Sequence, residues 1–402
     1  MTTYRRKGYD PSPLPVSGGW KEGDPVAFRK FEYIGPLRCE NDAVIPAVTM
    51  AYETFGTLNA DKSNAVLVLH ALTGDGHVTG DAAPGQSTPG WWSDIVGPGK
   101  IIDTNRYFVL APNILGGCQG STGPASPHPD GKPWGSRFPV VSTRDQVAAE
   151  IRLADALDID RFHLVIGASM GGQRALEWGI MAADRIDNLV IIASGPTTTA
   201  DQSAWAHTQI QAVTLDQHWN NGDYYDQDEG PVNGLGLARQ IAHTTYRSAH
   251  ELGTRFDRIP QGNEDPLYGG RLAVQSYLDH HGQKLARRFD AGAYVTLCRA
   301  MITHDIGRDR GGVSMALSMV RARTLVIAVD TDRLFSPSQS LTIASGITGA
   351  YYREIRSDFG HDGFLIESDQ TTSLLAWFLG GHTHTPVGER VRLGQEITFT
   401  DL

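Results

Sequence analysis

A serine, an aspartate pair and a histidine, set in one particular order along the chain, are the residues best suited to do chemistry. Gly167-Ala168-Ser169-Met170-Gly171, followed by Gly172, is a G-x-S-x-G pattern. It stands between an apolar run at residues 162–166 and a helix-forming stretch that opens near Gln173. That strand-to-helix context is where such a serine becomes a nucleophile. A sharp turn there strains the serine backbone, so the residues two before and two after must be small, and the helix N-terminus favours developing negative charge. The plain alternative is a tight glycine turn with a solvated serine.

A serine nucleophile needs a base to take its proton and an acid to set the base's tautomer; after this kind of turn they follow in the order Ser, Asp, His. The run at 324–329 reads as a buried strand and ends in Asp330-Thr331-Asp332-Arg333-Leu334-Phe335, which places two carboxylates at its C-terminal end. Asp332 is the favoured partner, with Asp330 held in reserve or as a turn residue. Of fourteen histidines, His361 in Gly360-His361-Asp362-Gly363 combines this order, a loop after a late strand at 351–355, and small neighbours that permit close approach. Acyl transfer also needs donors for a tetrahedral oxyanion. The Met170 amide is one, and the Leu72 amide in the glycine-rich loop Ala71-Leu72-Thr73-Gly74-Asp75-Gly76-His77 is the other, unless that loop is an ordinary turn. Cys118 is a rival nucleophile, but the sequence places no base for it, so it reads as structural.

These groups must be held by elements the sequence also shows. Strand patterns at 65–70, 107–112, 162–166, 189–193 and 324–329 alternate with helical stretches at 143–156, 173–183 and 371–379. Such alternation predicts an α/β fold with a mostly parallel sheet, and the nearly continuous apolar runs predict helices on both faces. Between Pro196 and Asp305 strand-like runs nearly vanish and amphipathic helices take over. Residues 197–305 therefore read as a helical lid inserted into one core made of 1–196 and 306–402. No internal repeat breaks this organisation, and the tail from His382 is polar.

The chain has 402 residues, with 35 Lys and Arg against 45 Asp and Glu, a net charge of −10 without like-charge blocks, which argues against a nucleic-acid partner. No stretch approaches the roughly 18 apolar residues that span a bilayer, and the basic start with Arg5, Arg6 and Lys7 lacks an apolar segment behind it. The expected setting is cytoplasmic. Cys39, Cys118 and Cys298 are odd in number and match no zinc-ligand spacing, so neither a disulfide framework nor a metal is expected.

Longer phrases carry a more specific signal. His70-Ala71-Leu72-Thr73-Gly74-Asp75, Asn113-Ile114-Leu115-Gly116-Gly117-Cys118, Gly120-Ser121-Thr122-Gly123-Pro124, Gln261-Gly262-Asn263-Glu264-Asp265-Pro266, Asp332-Arg333-Leu334-Phe335 and Gly360-His361-Asp362-Gly363-Phe364-Leu365 are spread over most of the chain. Together with the serine motif they closely resemble the homoserine O-acetyltransferase family, whose members have the α/β-hydrolase fold. The resemblance implies acetyl-CoA and L-homoserine as substrates, O-acetyl-L-homoserine for methionine biosynthesis as product, no permanently bound cofactor, and a homodimer with a helical lid. It also supports Asp332 over Asp330. By the same resemblance Arg239, in Leu237-Ala238-Arg239, would grip the homoserine carboxylate, Tyr246 would line the site, and Asp362 would hold the ammonium. A zwitterion in a water-poor cleft does need one fixed cation and one fixed anion, and arginine offers the bidentate fork. The bland readings are a solvated helix face for Arg239, packing for Tyr246 and a helix N-cap for Asp362. For the phosphates of CoA, Lys132 and Arg137 are the candidates. A succinyltransferase or a serine acyltransferase would share every catalytic residue, a plain esterase would lack the clamp, and a binding module would have an unreactive Ser169.

Overall fold

A computed structural model of the chain describes residues 12–380 and 392–393. Eight strands, β1 (Lys30–Arg38), β2 (Val44–Phe55), β3 (Ala65–Leu69), β4 (Phe108–Pro112), β5 (Phe162–Ala168), β6 (Ile186–Ile192), β7 (Arg323–Val329) and β8 (Tyr351–Ile355), form one sheet in the order β1-β2-β4-β3-β5-β6-β7-β8. The pairings from β4 through β8 are parallel; β1 with β2 and β2 with β4 are antiparallel, and Arg392–Leu393 adds a short antiparallel edge to β8. The parallel centre agrees with the sequence reading to within a few residues at each strand end. The β1/β2 pair is new. Gly35, Pro36 and Pro46 interrupt its apolar pattern, and proline is at home on the outer side of a sheet, where a lost ladder bond costs little.

Period-2 alternation sends successive strand residues into two cores. Leu67, Val165, Ile191 and Val326 face one side, and Val66, Val68, Ile166, Ile192 and Ile327 face the other. Each such side chain, fully buried, contributes about 1.5–3 kcal/mol. Helices α1 (Thr143–Ala156) and α2 (Met170–Met181) cover the first face. The start of α1 is fixed by a capping box: Ser142 Oγ accepts from the Asp145 amide at 3.2 Å, and Asp145 Oδ2 accepts from the Ser142 amide at 2.8 Å.

Between β6 and β7 lie α3 (Ala200–Thr214), α4 (Val232–Tyr246), α5 (Ala249–Phe256), α6 (Ala273–Ala286) and α7 (Ala291–Ile302). The two ends of this excursion meet. Thr197 and Asp305 form a β-bridge, the Thr198 amide donates to the His304 carbonyl at 3.0 Å, and the Ile306 amide donates to the Pro196 carbonyl at 3.1 Å. The helices thus leave and rejoin the sheet through one neck. They have a core of their own, with Ile210, Leu235, Tyr294 and Leu297 buried among its members. No described helix is long and apolar enough to cross a membrane.

Candidate active site

Ser169 follows β5 and precedes α2, and its backbone has φ 56° and ψ −123°. A non-glycine residue reaches this region only where the surroundings enforce it. The glycines show how: a Cβ on Gly167 would come 2.1 Å from the Gly171 carbonyl oxygen, and one on Gly171 would come 2.0 Å from that of Leu69. Close backbone approach, and not glycine flexibility as such, makes both positions obligatory.

The strained turn aims Ser169 Oγ at His361 Nε2, 2.8 Å away. On the far side of the ring, His361 Nδ1 donates to Asp332 Oδ2 at 2.6 Å. That bond leaves the Nε2 lone pair to accept the serine proton. Asp332 is itself fixed, because its Oδ1 accepts from the Leu334 and Phe335 amides at 2.8 and 2.9 Å. Asp330 is engaged elsewhere: its Oδ1 accepts from the Ser357 amide at 2.9 Å and ties β7 to the loop after β8. All three of Ser169, Asp332 and His361 are buried. Burial alone disfavours the imidazolium, but the Asp332 carboxylate, with Asp362 behind it, outweighs this and raises the His361 pKa above the ordinary histidine value.

The Leu72 loop lies at the end of β3. Its turn is closed by the Gly74 amide on the Ala71 carbonyl at 3.0 Å. Neither the Leu72 nor the Met170 N–H is spent on another group among the described residues, and Met170 is the first residue of α2, where helix amides are left over. Sequence reasoning missed what supports this loop. Arg174 and Glu150, both fully buried, form an ion pair between α2 and α1; Arg174 Nη2 donates to the His70 carbonyl at 2.6 Å, and Trp178 Nε1 donates to Glu150 Oε2 at 2.9 Å. His70 Nδ1 donates to the Ala71 carbonyl at 2.7 Å while Nε2 accepts from the Ile114 amide at 3.2 Å, and burial beside Arg174 depresses its pKa to about 3. A neutral, doubly bonded imidazole thus stiffens the strand end. Glu150→Ala leaves Arg174 buried and uncompensated, and is expected to cost about 3–5 kcal/mol in urea unfolding. The double variant Glu150→Leu, Arg174→Met should recover most of that loss, because it removes both charges.

From the excursion, α4 packs against the loop that carries His361. Tyr246 on α4 sits with its ring centroid 5.7 Å from that of His361, and the guanidinium of Arg239, also on α4, lies 5.4 Å from the Tyr246 ring centre. Burial raises the Tyr246 pKa to about 12, so its phenol remains a neutral donor. Among the described residues no carboxylate lies within ion-pairing distance of Arg239. Asp362 differs: its Oδ2 is 3.1 Å from Arg247 Nε, and its side chain makes no helix-capping hydrogen bond. The loop carrying His361 is packed so tightly against α4 that a Cβ on Gly360, at φ 65°, would meet the Tyr246 carbonyl oxygen at 2.6 Å.

Two further expectations can be placed. Burial pushes the Cys118 thiol well above its usual pKa, with Asp290 adding to this, so it is inert as a nucleophile. Lys132 and Arg137 line a cleft of about 370 Å³ with Asp130, Asp223 and Asp226, and Arg137 is already bonded to Asp130 at 2.5 Å. Three carboxylates against two cations make that cleft a poor phosphate site.

The family model described as the alpha/beta hydrolase fold matches residues 64–368. A homoserine O-acetyltransferase of Thermobifida fusca is 55% identical over 366 residues, which is 90% of this chain and 97% of that protein. The chain belongs to the homoserine O-acetyltransferase family. Among solved structures, a homoserine O-acetyltransferase from Bacillus anthracis is 26% identical with a TM-score of 0.80, over 87% of this chain and 97% of that one. Esterase E22 is 27% identical with the same TM-score of 0.80, over 87% and 99%. The scaffold of the family is therefore shared with a hydrolase, and the groups around the serine must decide between acceptor alcohol and water.

Proposed function

We propose that the protein transfers the acetyl group of acetyl-CoA to the side-chain hydroxyl of L-homoserine, through an acetyl-Ser169 intermediate. The observation that carries this reading is Arg239, a cation without a carboxylate partner among the described residues, held one aromatic ring away from the histidine of a Ser-His-Asp array. An esterase acting on neutral esters has no use for such a charge, whereas an amino acid brings its own carboxylate to it.

In the first half-reaction His361 Nε2 takes the Ser169 proton as Oγ attacks the thioester carbonyl, and the Leu72 and Met170 amides hold the oxyanion. Collapse breaks the C–S bond, and the thiolate leaves with the proton from His361. Homoserine then enters the same site. Arg239 takes its carboxylate, Tyr246 lines the pocket, and Asp362, with one oxygen on Arg247, offers the other to the ammonium. The homoserine hydroxyl gives its proton to His361 and attacks the acetyl carbonyl, and Ser169 leaves with that proton. Proximity favours this attack over that of water. On this reading residues 197–305 act as a lid that narrows and dries the site, and the enzyme works as a cytoplasmic homodimer.

Thiol release from acetyl-CoA tests the assignment, with L-homoserine, L-serine or no acceptor, and with succinyl-CoA as rival donor. Release that depends on homoserine and prefers acetyl-CoA is expected. Equal release without any amino acid would make the protein an esterase, and release from succinyl-CoA alone would make it a succinyltransferase. Arg239→Met should lower kcat/KM for homoserine by roughly 10²–10³-fold, chiefly through KM, and far more than it lowers the acceptor-independent thiol burst.

A further inference from the structure

Two arginines from different segments, one on a helix and one just past a helix end, converge on one residue beside the proposed oxyanion donor. Thr73 Oγ1 accepts from Arg239 Nη1 at 3.2 Å, and the Thr73 carbonyl accepts from Arg288 Nη1 at 2.9 Å. Arg239 belongs to α4, and Arg288 lies two residues beyond the end of α6. Among the described residues neither has a carboxylate within ion-pairing distance, although Asp75 lies near enough to Arg288 to interact with it electrostatically. Thr73 itself is the third residue of the tight turn from Ala71 to Gly74, directly after Leu72. That turn has little slack, since a Cβ on Gly74 would come 2.9 Å from the Cβ of His70.

The choice of a hydroxyl as partner for Arg239 has a physical consequence. A carboxylate there would orient the guanidinium but also neutralise it, and an incoming substrate carboxylate would have to displace it. A hydroxyl orients one N–H and leaves the charge and the remaining donors available. The same contact links the cation to the turn that carries the Leu72 amide. We propose that Thr73 is a specificity-determining residue: its hydroxyl presets Arg239 for a free α-amino-acid carboxylate and couples occupancy of that clamp to the oxyanion turn. This rests on the acetyl-transfer reading above. The acetyl-enzyme is then best poised for attack when the acceptor carries a carboxylate, and water, which brings no charge to pair with Arg239, attacks a less ordered site.

The test is the fate of acetyl groups in Thr73→Val, which deletes the hydroxyl at nearly constant volume, and in Thr73→Ser, which keeps it. Partition between O-acetylhomoserine and free acetate is measured across homoserine concentrations, with thermal melting of each variant. Thr73→Val is expected to raise KM for homoserine about tenfold, the effect of losing one hydrogen bond to a charged group, and to shift partition toward acetate. Thr73→Ser should restore both values to near those of the native enzyme. Native partition and KM in Thr73→Val would overturn the proposal. So would an equal fall in transfer and hydrolysis with a lower melting temperature that serine does not rescue, since that is the mark of packing alone. If the native enzyme shows no homoserine-dependent thiol release, the acetyl-transfer reading fails first, and that outcome is visible without any variant.

Discussion

Ser169→Ala is expected to lower acetyl transfer by roughly 10⁴-fold or more while leaving the fold intact. The expectation follows from the division of labour at the turn. Ser169 Oγ is bonded to His361 Nε2, whereas the backbone that holds the turn is fixed by other contacts, including the Ser169 amide on the Ile192 carbonyl at 2.9 Å. Alanine can occupy the same φ 56° conformation at a cost similar to that of serine, because both carry a Cβ. What disappears is the hydroxyl that, on the proposed mechanism, forms the acetyl-enzyme. Thiol release and circular-dichroism melting measured on one preparation check both halves of the statement. Retention of homoserine-dependent transfer would mean that the acceptor attacks the thioester directly.

Asp332→Asn should be nearly as severe, about 10⁴-fold, for a reason of tautomer and not of charge alone. The asparagine carbonyl oxygen can still accept from the Leu334 and Phe335 amides, and this turns its NH₂ toward His361. A donor facing Nδ1 forces the imidazole proton onto Nε2, where a lone pair is needed. The pH dependence carries a second signature. In the native enzyme the raised His361 pKa keeps the ring protonated to higher pH than a free imidazole, so the rate should fall as pH falls through a midpoint above about 6.5. With the carboxylate gone the residual activity should lose rate only at lower pH. A pH–rate profile of kcat/KM for the two proteins checks this, and an unmoved acidic limb would mean that another group titrates.

Much of this arrangement was legible because the relevant constraints are local. Gly167, Ser169 and Gly171 are spaced by the geometry of a single turn, and β3, β5, β6 and β7 are apolar runs whose burial on both faces leaves no other reading. The order Ser169, Asp332, His361 leads to a relay in which the His361 ring bonds Ser169 on one side and Asp332 on the other. What was not legible depends on contacts between distant segments. Nothing in the spacing of Glu150, Arg174 and His70 announces that they meet beneath the Leu72 turn. Thr73 reads as an ordinary turn residue until Arg239 and Arg288 arrive from α4 and the end of α6. Asp362 likewise reads as a free anion or a helix cap, and only the fold brings Arg247 to it. The β1/β2 pair was hidden for the opposite reason, since Pro36 and Pro46 imitate loop chemistry inside strands.

The central claim is that one serine carries the acetyl group from a thioester to an amino-acid hydroxyl. Its most direct test is peptide mass mapping after acid quench, with acetyl-CoA added first and L-homoserine second. Acetylation confined to the Ser169 peptide, stable for a time in water and discharged on addition of homoserine with O-acetylhomoserine appearing in equal amount, is the expected result. A protein that releases thiol and product without ever carrying acetyl on Ser169, or whose acetyl group goes to water whether or not homoserine is present, would contradict it.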